Sequence, residues 1–345
     1  MAAEQEQKPQ GAADFGVLYG RKWEIKIFKP AYKDAEKTER DPEHDIGIDV
    51  SELKCVFKCK YDMNTALSVG TLVVYNLSPE TEAGIIQEGF QFSVYGGYEK
   101  GQYGEIFTGD IVQVIRNREN GVDYRLEILA VRAKMEFDWN FVRASVAAQA
   151  TPREVAKAIT EKADQKLKLG EVSDKISQQP LPRGKILFGK PYKYLYQMAK
   201  SNNAYFMLNS KNEVDLKCLV DEIPENLCLT LTPETGLVGT PKYTDNGIII
   251  KMLLDARVKI GSMIKIDNSL IQGQLISIDP QMKEKKDQMA SQNQVFDKDG
   301  QYEVLSITHS GDTWGDDWST EVVGISRNGP KGIATAIASP EQTLQ

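Results

Sequence analysis

The segment EIFTGDIVQVIRNRENGVDYRLEILAV, residues 105–131, decides how this chain is expected to fold. Its two halves are rich in β-branched and aromatic residues. Between them Asn120-Gly121 is a strong hairpin signal, because both residue types tolerate the positive φ that a tight turn between twisted strands demands. GDIVQVI and VDYRLEILAV should therefore pair antiparallel. Upstream, WEIKIF, LKCVFKCKY, GTLVVYNL and FQFSVYGGY repeat the same short, turn-punctuated pattern. Together these runs predict a β-barrel or sandwich. One helix interrupts them in NLSPETEAGIIQEG. There Asn76 and Ser78 form the turn and cap, Pro79 takes the first helical position, Glu80 suits the positive end of the helix dipole and Gly89 stops the turn.

After Ala144 the period changes. TPREVAKAITEKADQKLK spaces Val155, Ala158, Ile159 and Ala163 for a helix, with Thr151 as cap and Pro152 in first position. Tyr192, Leu195, Met198 and Ala199 mark a second helix ending near residues 201–203, and YFML and VDLKCL read as a hairpin around 209–212. Strands then return: GLVGTPKY, GIIIKMLL, SMIKID, SLIQGQLISID, QYEVLSITH and WSTEVVGI. Within QYEVLSITH, Tyr302, Val304, Ser306 and Thr308 alternate against Leu305, Ile307 and His309, as in a half-buried strand. GQYEVLSITHSGDTWGDDWSTEVVGI repeats the strand, polar turn, strand plan of 105–131.

The expected fold is thus mainly β, in the α+β sense: two β domains, each a barrel or sandwich, with a small α+β insert and short helices. The divisions are a flexible tail at 1–15, a first β domain at 16–145, the insert at 146–227, a second β domain at 228–326 and an extended tail at 327–345. Inside the second β domain, PQMKEKKDQMASQNQVFDKDG at 280–300 is charged, without apolar periodicity, and reads as a mobile loop.

Composition narrows the function. The chain of 345 residues is 41% hydrophobic and 26% charged, an ordinary globular balance. Even GIIIKMLL carries Lys251, and no apolar run approaches the roughly 20 residues of a spanning helix. MAAEQEQKPQGAAD lacks a secretory pattern, so synthesis in a cytoplasm is expected. A formal net charge of -7 disfavours nucleic-acid binding by the outer surface. Cys55 and Cys59, four apart in one strand, stand about 13 Å apart, too far for a bridge. With two histidines in the chain, a Cys/His zinc site is not expected.

THSGDTWGDDWSTE, residues 308–321, crowds His309, Ser310, Asp312, Asp316, Asp317, Ser319 and Glu321 into one stretch. One hairpin tip seldom supplies a nucleophile, a base and an orienting group by itself, and DTWGDD lacks the alternating oxygen ligands of a calcium loop. The glycines of VYGGYEKGQYGEIF follow a strand but lead into no helix, unlike a phosphate loop. No catalytic, cofactor-binding or metal-ligating set is expected.

Several stretches in fixed order carry a resemblance: GTLVVYNLSPET, VYGGYE, GEIFTGDI, TPREVAKAI, GLVGTPKYTDNGIIIKMLLDARVKIGSMIKID and YEVLSITHSGDTWGDDWSTE. Over most of 16–326 the chain resembles the baseplate hub proteins of tailed bacteriophages, which are related to the hubs of contractile injection systems. The resemblance implies two tail-tube-like barrels per chain, and a homotrimer whose ring of barrels joins a sixfold tail tube to a threefold central spike. It also implies contacts with a tube or tube-initiator protein and with baseplate wedge proteins, and a channel through which tape-measure protein and DNA pass without specific binding. The place implied is the virion tail, assembled in the host cytoplasm, and the role is structural rather than enzymatic. Thr313, Trp314 and Trp318 are then expected at an interface, with the neighbouring aspartates keeping the tip soluble. Two alternatives stay open: the hub of a phage-like toxin or secretion device, and a hub whose insert binds or cleaves peptidoglycan. A fused lysozyme, peptidase or oligosaccharide-binding neck is not expected after Ser326.

Overall fold

The computed structural model describes residues 17–31, 41–63, 68–85, 90–119, 121, 123–132, 140–164, 167–202, 204–208, 213–218, 221, 223, 228–244, 247–266 and 300–326. Residues 280–299 of the expected loop, both tails, Asn120, Gly89, the 209–212 turn and the SLIQGQLISID strand lie outside these residues.

The first β unit places β3 (Cys55–Asp62), β4 (Val69–Tyr75), β7 (Asp123–Val131), β6 (Tyr103–Glu119), β5 (Gln91–Tyr98), β1 (Arg21–Lys29) and β2 (Ile46–Asp49) side by side in that order. All neighbours run antiparallel. The hairpin at 105–131 forms, with Glu119 opposite Asp123 and Gly121 at φ 76° in the turn. β2 is a short strand, IGID, at the end of the sheet. From β3 to β2 a flat sheet of this order would span roughly 29 Å at about 4.8 Å per strand. Yet β2 and β3 are consecutive in the chain, and the linking segment 50–54 reaches at most about 21 Å. The sheet has to curl. Bonds from Val50 N–H to Ile25 O (2.9 Å) and from Ile25 N–H to Ser51 Oγ (2.8 Å) hold that link against β1.

The short helix α1 (Pro79–Ile85) follows β4 through a turn in which Asn76 adopts φ 55°. Ser78 Oγ accepts from Thr81 N–H at 3.2 Å, and Pro79 stands first in the helix, where its missing N–H costs nothing.

The second β unit contains β13 (Cys228–Leu231), β14 (Lys242–Thr244), β15 (Gly247–Leu253), β16 (Met263–Ile266), β17 (Gln301–Asp312) and β18 (Trp318–Ser326). GLVGTPKY is not one strand. Gly236 and Gly239 sit at φ 108° and 71°, Leu237 makes only an isolated bridge to Met252, and the strand proper begins at Lys242. β17 is the hinge of the architecture. Along one edge it pairs with β18; along the other its residues 301–303 pair with β16 and its residues 306–312 pair with β3 of the first unit. The register against β18 shifts between Val304 and Ser306. Tyr302 and Val304 are buried before the shift, and Ile307, His309 and Gly311 after it, so the extra residue Leu305 changes which alternate positions face inward. That observation replaces the regular alternation expected from QYEVLSITH.

The mainly β fold expected from the sequence is present, and its two β units are joined in the same place. Because β17 pairs with β3, both units belong to one 13-stranded sheet, and among the described residues its hydrogen-bonded path runs from β14 to β2 without closing. Two apolar cores persist within this curled sheet. One is built around Ile25, Phe57, Leu72, Phe92, Phe107 and Ile128, the other around Leu231, Ile250, Tyr302 and Val322. The first is completed by Leu254, Ala256 and Trp318 from the second unit.

Between the units, β8 (Val142–Val146) pairs with β10 (Lys185–Gly189), and β11 (Ala204–Leu208), β12 (Glu213–Cys218) and β9 (Lys168–Val172) form a second small sheet, with β9 parallel to β12. Helices α2 (Pro152–Glu161) and α3 (Pro191–Ser201) share its core, which begins at Val142, a few residues before the expected division. Thr151 and Glu154 form a reciprocal capping box at the start of α2.

Candidate functional site

The tip of the β17–β18 hairpin is held by a set of hydrogen bonds. Asp312 N–H donates to Asp317 O at 2.7 Å, which closes the loop. Asp312 Oδ1 accepts from Trp314 N–H at 2.9 Å and from Gly315 N–H at 2.8 Å, so this carboxylate shapes the turn. Asp317 Oδ1 accepts from Ser319 Oγ at 2.8 Å. Arg21, at the start of β1, donates to Gly315 O at 2.6 Å and to Asp316 O at 2.9 Å. Nothing local in the sequence signals this clamp, because its partners stand almost 300 residues apart.

Thr313 works inside the chain. Its N–H donates to Cys55 O (2.9 Å), its Oγ1 accepts from Cys55 N–H (2.9 Å) and donates to Leu53 O (3.2 Å), and it is buried. Trp318 is also corrected. Only 3% of its surface is exposed, and its ring meets Phe57 edge-on at 5.6 Å and Trp23 at 5.9 Å. Strand alternation from the buried end of the hairpin turns it inward, so it supplies core rather than a contact face. Arg21 lies 5.7 Å above that ring.

Trp314 is the one member of the expected trio that reaches solvent, with 71% exposure. It borders two open recesses. One, of about 430 Å³, is lined by Arg21, Lys22, Trp23, Ser51 and Glu52; the other, of about 300 Å³, by Leu53, Lys54, Tyr75, Asn76, Glu119 and Asp123. Asn76 Nδ2 donates to Asp123 Oδ1 (3.3 Å) and Asn76 Oδ1 accepts from Tyr124 N–H (3.2 Å), so the turn before α1 is laced to the start of β7 beside the tryptophan. The fold thus brings together Trp314 and Asn76, which sequence reasoning treated apart. Ser78, Pro79 and Gly121 serve the turns that shape this end of the sheet.

The histidine of the hairpin is not a base. His309 is 3% exposed, its Nδ1 lies 2.9 Å from Thr320 Oγ1, and its ring packs edge-on against Tyr61. Burial, helped by the nearby Lys259 ammonium, pushes its pKa down to about 3 and keeps the ring neutral. His44 is exposed on a single turn and bonded to Asp41 at 2.9 Å. Among the described residues no group of three or more His, Cys, Asp or Glu is placed to hold a metal ion. Cys55, Cys59 and Cys218 are buried free thiols, and burial raises Cys55 to about 12, far from a reactive thiolate. Gly101 lies in the turn from β5 to β6, where Gly96 pairs with Gly104 and Gly97 with Tyr103, and Tyr95 and Tyr103 stack 6.4 Å apart. What this surface offers chemically is an exposed indole on a rigid, hydrogen-bonded mount.

No family model matches the chain, and no curated protein matches its sequence. Solved structures match its fold. The 43 kDa tail protein of prophage MuSo2 from Shewanella oneidensis superposes with a TM-score of 0.55 at 8% identity, covering 89% of this chain and 99% of that one. The c3393 protein of E. coli, a component of the type VI secretion system with structural similarity to the T4 bacteriophage tail proteins gp27 and gp5, gives 0.51 at 12% identity over 80% of this chain and 75% of its own. A chain of the PdpA–VgrG complex from Francisella gives 0.51 at 10% identity, over 90% of this chain and 59% of that one. In agreement with the resemblance read from the motifs, the chain has the fold of bacteriophage tail proteins, a fold that type VI secretion components share.

Proposed function

We propose that this protein is a structural hub of a phage tail baseplate. The observation that carries the reading is the architecture itself: two β cores in one curled sheet with an α+β insert between them, matched over 89% of this chain and 99% of a prophage tail protein. Three copies would form a ring of six β units, joining the sixfold tail tube to a threefold spike and leaving a channel for tape-measure protein and DNA. A net charge of -7 suits such a channel, since a lumen that repels phosphate lets DNA slide rather than bind. Trp314, exposed on its rigid hairpin, would serve as an assembly contact. Tube, wedge and spike proteins are the remaining partners in this reading, and the virion tail, assembled in the host cytoplasm, is its place.

Light scattering of the purified chain, alone and with the cognate spike protein, tests it. A discrete trimer that captures the spike is the expected result; a chain that stays monomeric and never enters a tail particle would refute it. The type VI and VgrG neighbours favour a second reading, the hub of a secretion or toxin device, which genes for capsid and terminase beside this one would argue against. Neither reading includes catalysis, so incubation with cell walls should release no muropeptides.

A further inference from the structure

Two surfaces of the chain present apolar side chains in opposite electrostatic settings. One is the tip of the β17–β18 hairpin, where Trp314 stands beside the exposed carboxylates of Asp316 and Asp317. The other is the outer face of the β8–β10 pair in the insert. Along β10, Leu187 points into the insert core, while Ile186 and Phe188 on either side are 79% and 68% exposed. Phe141 meets the Phe188 ring edge-on at 4.8 Å and extends the patch. Tyr194 Oη accepts from Phe188 N–H (2.8 Å) and donates to Phe188 O (2.9 Å), which fixes this end of β10 to α3 and holds the phenyl ring outward. The cations Arg183, Lys185 and Lys190 flank the patch along the same segment. Single exposed apolar residues need no explanation, but two outward positions on one strand joined by a third ring form a patch, and such patches mark contacts.

We propose that these surfaces bind each other between copies of the chain. Trp314 of one copy packs against Ile186 and Phe188 of the next, with Asp316 and Asp317 facing Lys185 and Lys190. The fit is argued from charge: around Trp314 the carboxylates of Asp316, Asp317, Glu52, Glu119 and Asp123 outnumber the cations Arg21, Lys22 and Lys54, whereas the apolar face on β10 is basic, and both surfaces are carried by every chain. A large aromatic anchor suits the centre of such a contact, and the rim charges set its orientation and salt dependence. Because the two halves differ, the contact is head to tail, and repeated it makes either a closed ring or a filament. The proposal rests on the hub reading only for the closure of that ring.

Sedimentation of the full chain, up to about 100 µM, reads the association. Trp314→Ala and Phe188→Ser are both surface changes, so each should keep the wild-type melting temperature while weakening self-association by about tenfold or more. An equimolar mixture of the two variants is the decisive arm. One variant keeps a sound face and the other a sound tip, so the mixture should form a 1:1 complex that neither forms alone. Lys185→Glu with Lys190→Glu should weaken association, and a chain carrying Asp316→Lys with Asp317→Lys should restore binding to it. If Phe188→Ser associates like wild type, or if the mixture forms no complex, the contact is wrong while the hub reading stands. A wild-type chain that is monomeric throughout this range but enters tail particles also removes only the contact; one that is monomeric and absent from tails removes both.

Discussion

His309 illustrates what burial does to one side chain. Unfolded, the imidazole binds its proton near the ordinary histidine value; folded, it does so only near pH 3, because the site withholds water and Lys259 repels a second cation. The unfolded chain therefore holds more protons between those two values, and stability falls as pH drops through that window. Replacing His309 with Gln should remove up to about 1.4 kcal/mol per pH unit of that slope, read as the difference between the pH dependences of wild-type and variant urea unfolding. Gly311 makes a steric counterpart. A Cβ added there would stand 2.4 Å from the Phe57 ring and 2.9 Å from the Trp318 ring, both in the first core. Gly311→Ala should cost about 1–3 kcal/mol in the same measurement. Neither effect could be read from the hairpin sequence alone, since Phe57 and Lys259 reach these residues only through tertiary pairing. Trp318 misled for the same reason: among aspartates it looks like a surface residue, and only the strand register shows which way its ring turns.

At the scale of elements, local chemistry was legible wherever the partner is a few residues away. Ser78-Pro79, Thr151-Pro152 and the turn at Gly121 each satisfy backbone groups within one turn, so their sequences announce them. Thr151→Ala should cost about 1 kcal/mol by leaving the Glu154 amide at the start of α2 without its cap, seen as a lower urea midpoint if the insert unfolds with the rest. Strands supported from a distance were harder to see. β2 is a short edge strand of mixed polarity, and β9 runs parallel to β12, a pairing that no hairpin signal can announce. The bulge at Leu305 was hidden as well, because apolar residues on both sides blur the change of phase. Deleting Leu305 should be far worse than a point change. It would slip β17 by one residue against β18 or β3 and move His309 and Ile307 to the wrong face, so the deletion should yield insoluble chain where Leu305→Ala stays folded.

For the whole molecule, the joint between β3 and β17 matters more than either unit. It ties the two β cores together: Leu254, Ala256 and Trp318 fill the first core from the second unit, and Gln102 donates to Leu254 O and accepts from Ala256 N–H. A fragment comprising residues 1–145 should therefore bind a hydrophobic dye and lack a sharp thermal transition, whereas the full chain should lose both β cores in one step followed by tryptophan fluorescence. A fragment that melted cooperatively like the full chain would mean that the first unit is independent after all. The mainly β character and the insert were legible as periodicity, but the fusion of the sheets was not, because no residue advertises a partner some 250 positions away.

That separation has a consequence during translation. Cys55 N–H cannot meet Thr313 Oγ1 until 258 further residues have been added, which takes about 13 to 50 seconds at ordinary elongation rates. Throughout that wait the nascent β3 has one uncovered edge, the geometry that recruits strangers. Lys58 and Lys60, set alternately within CVFKCKYD, put cationic side chains along that waiting strand, the usual guard against mispairing on a crowded polysome.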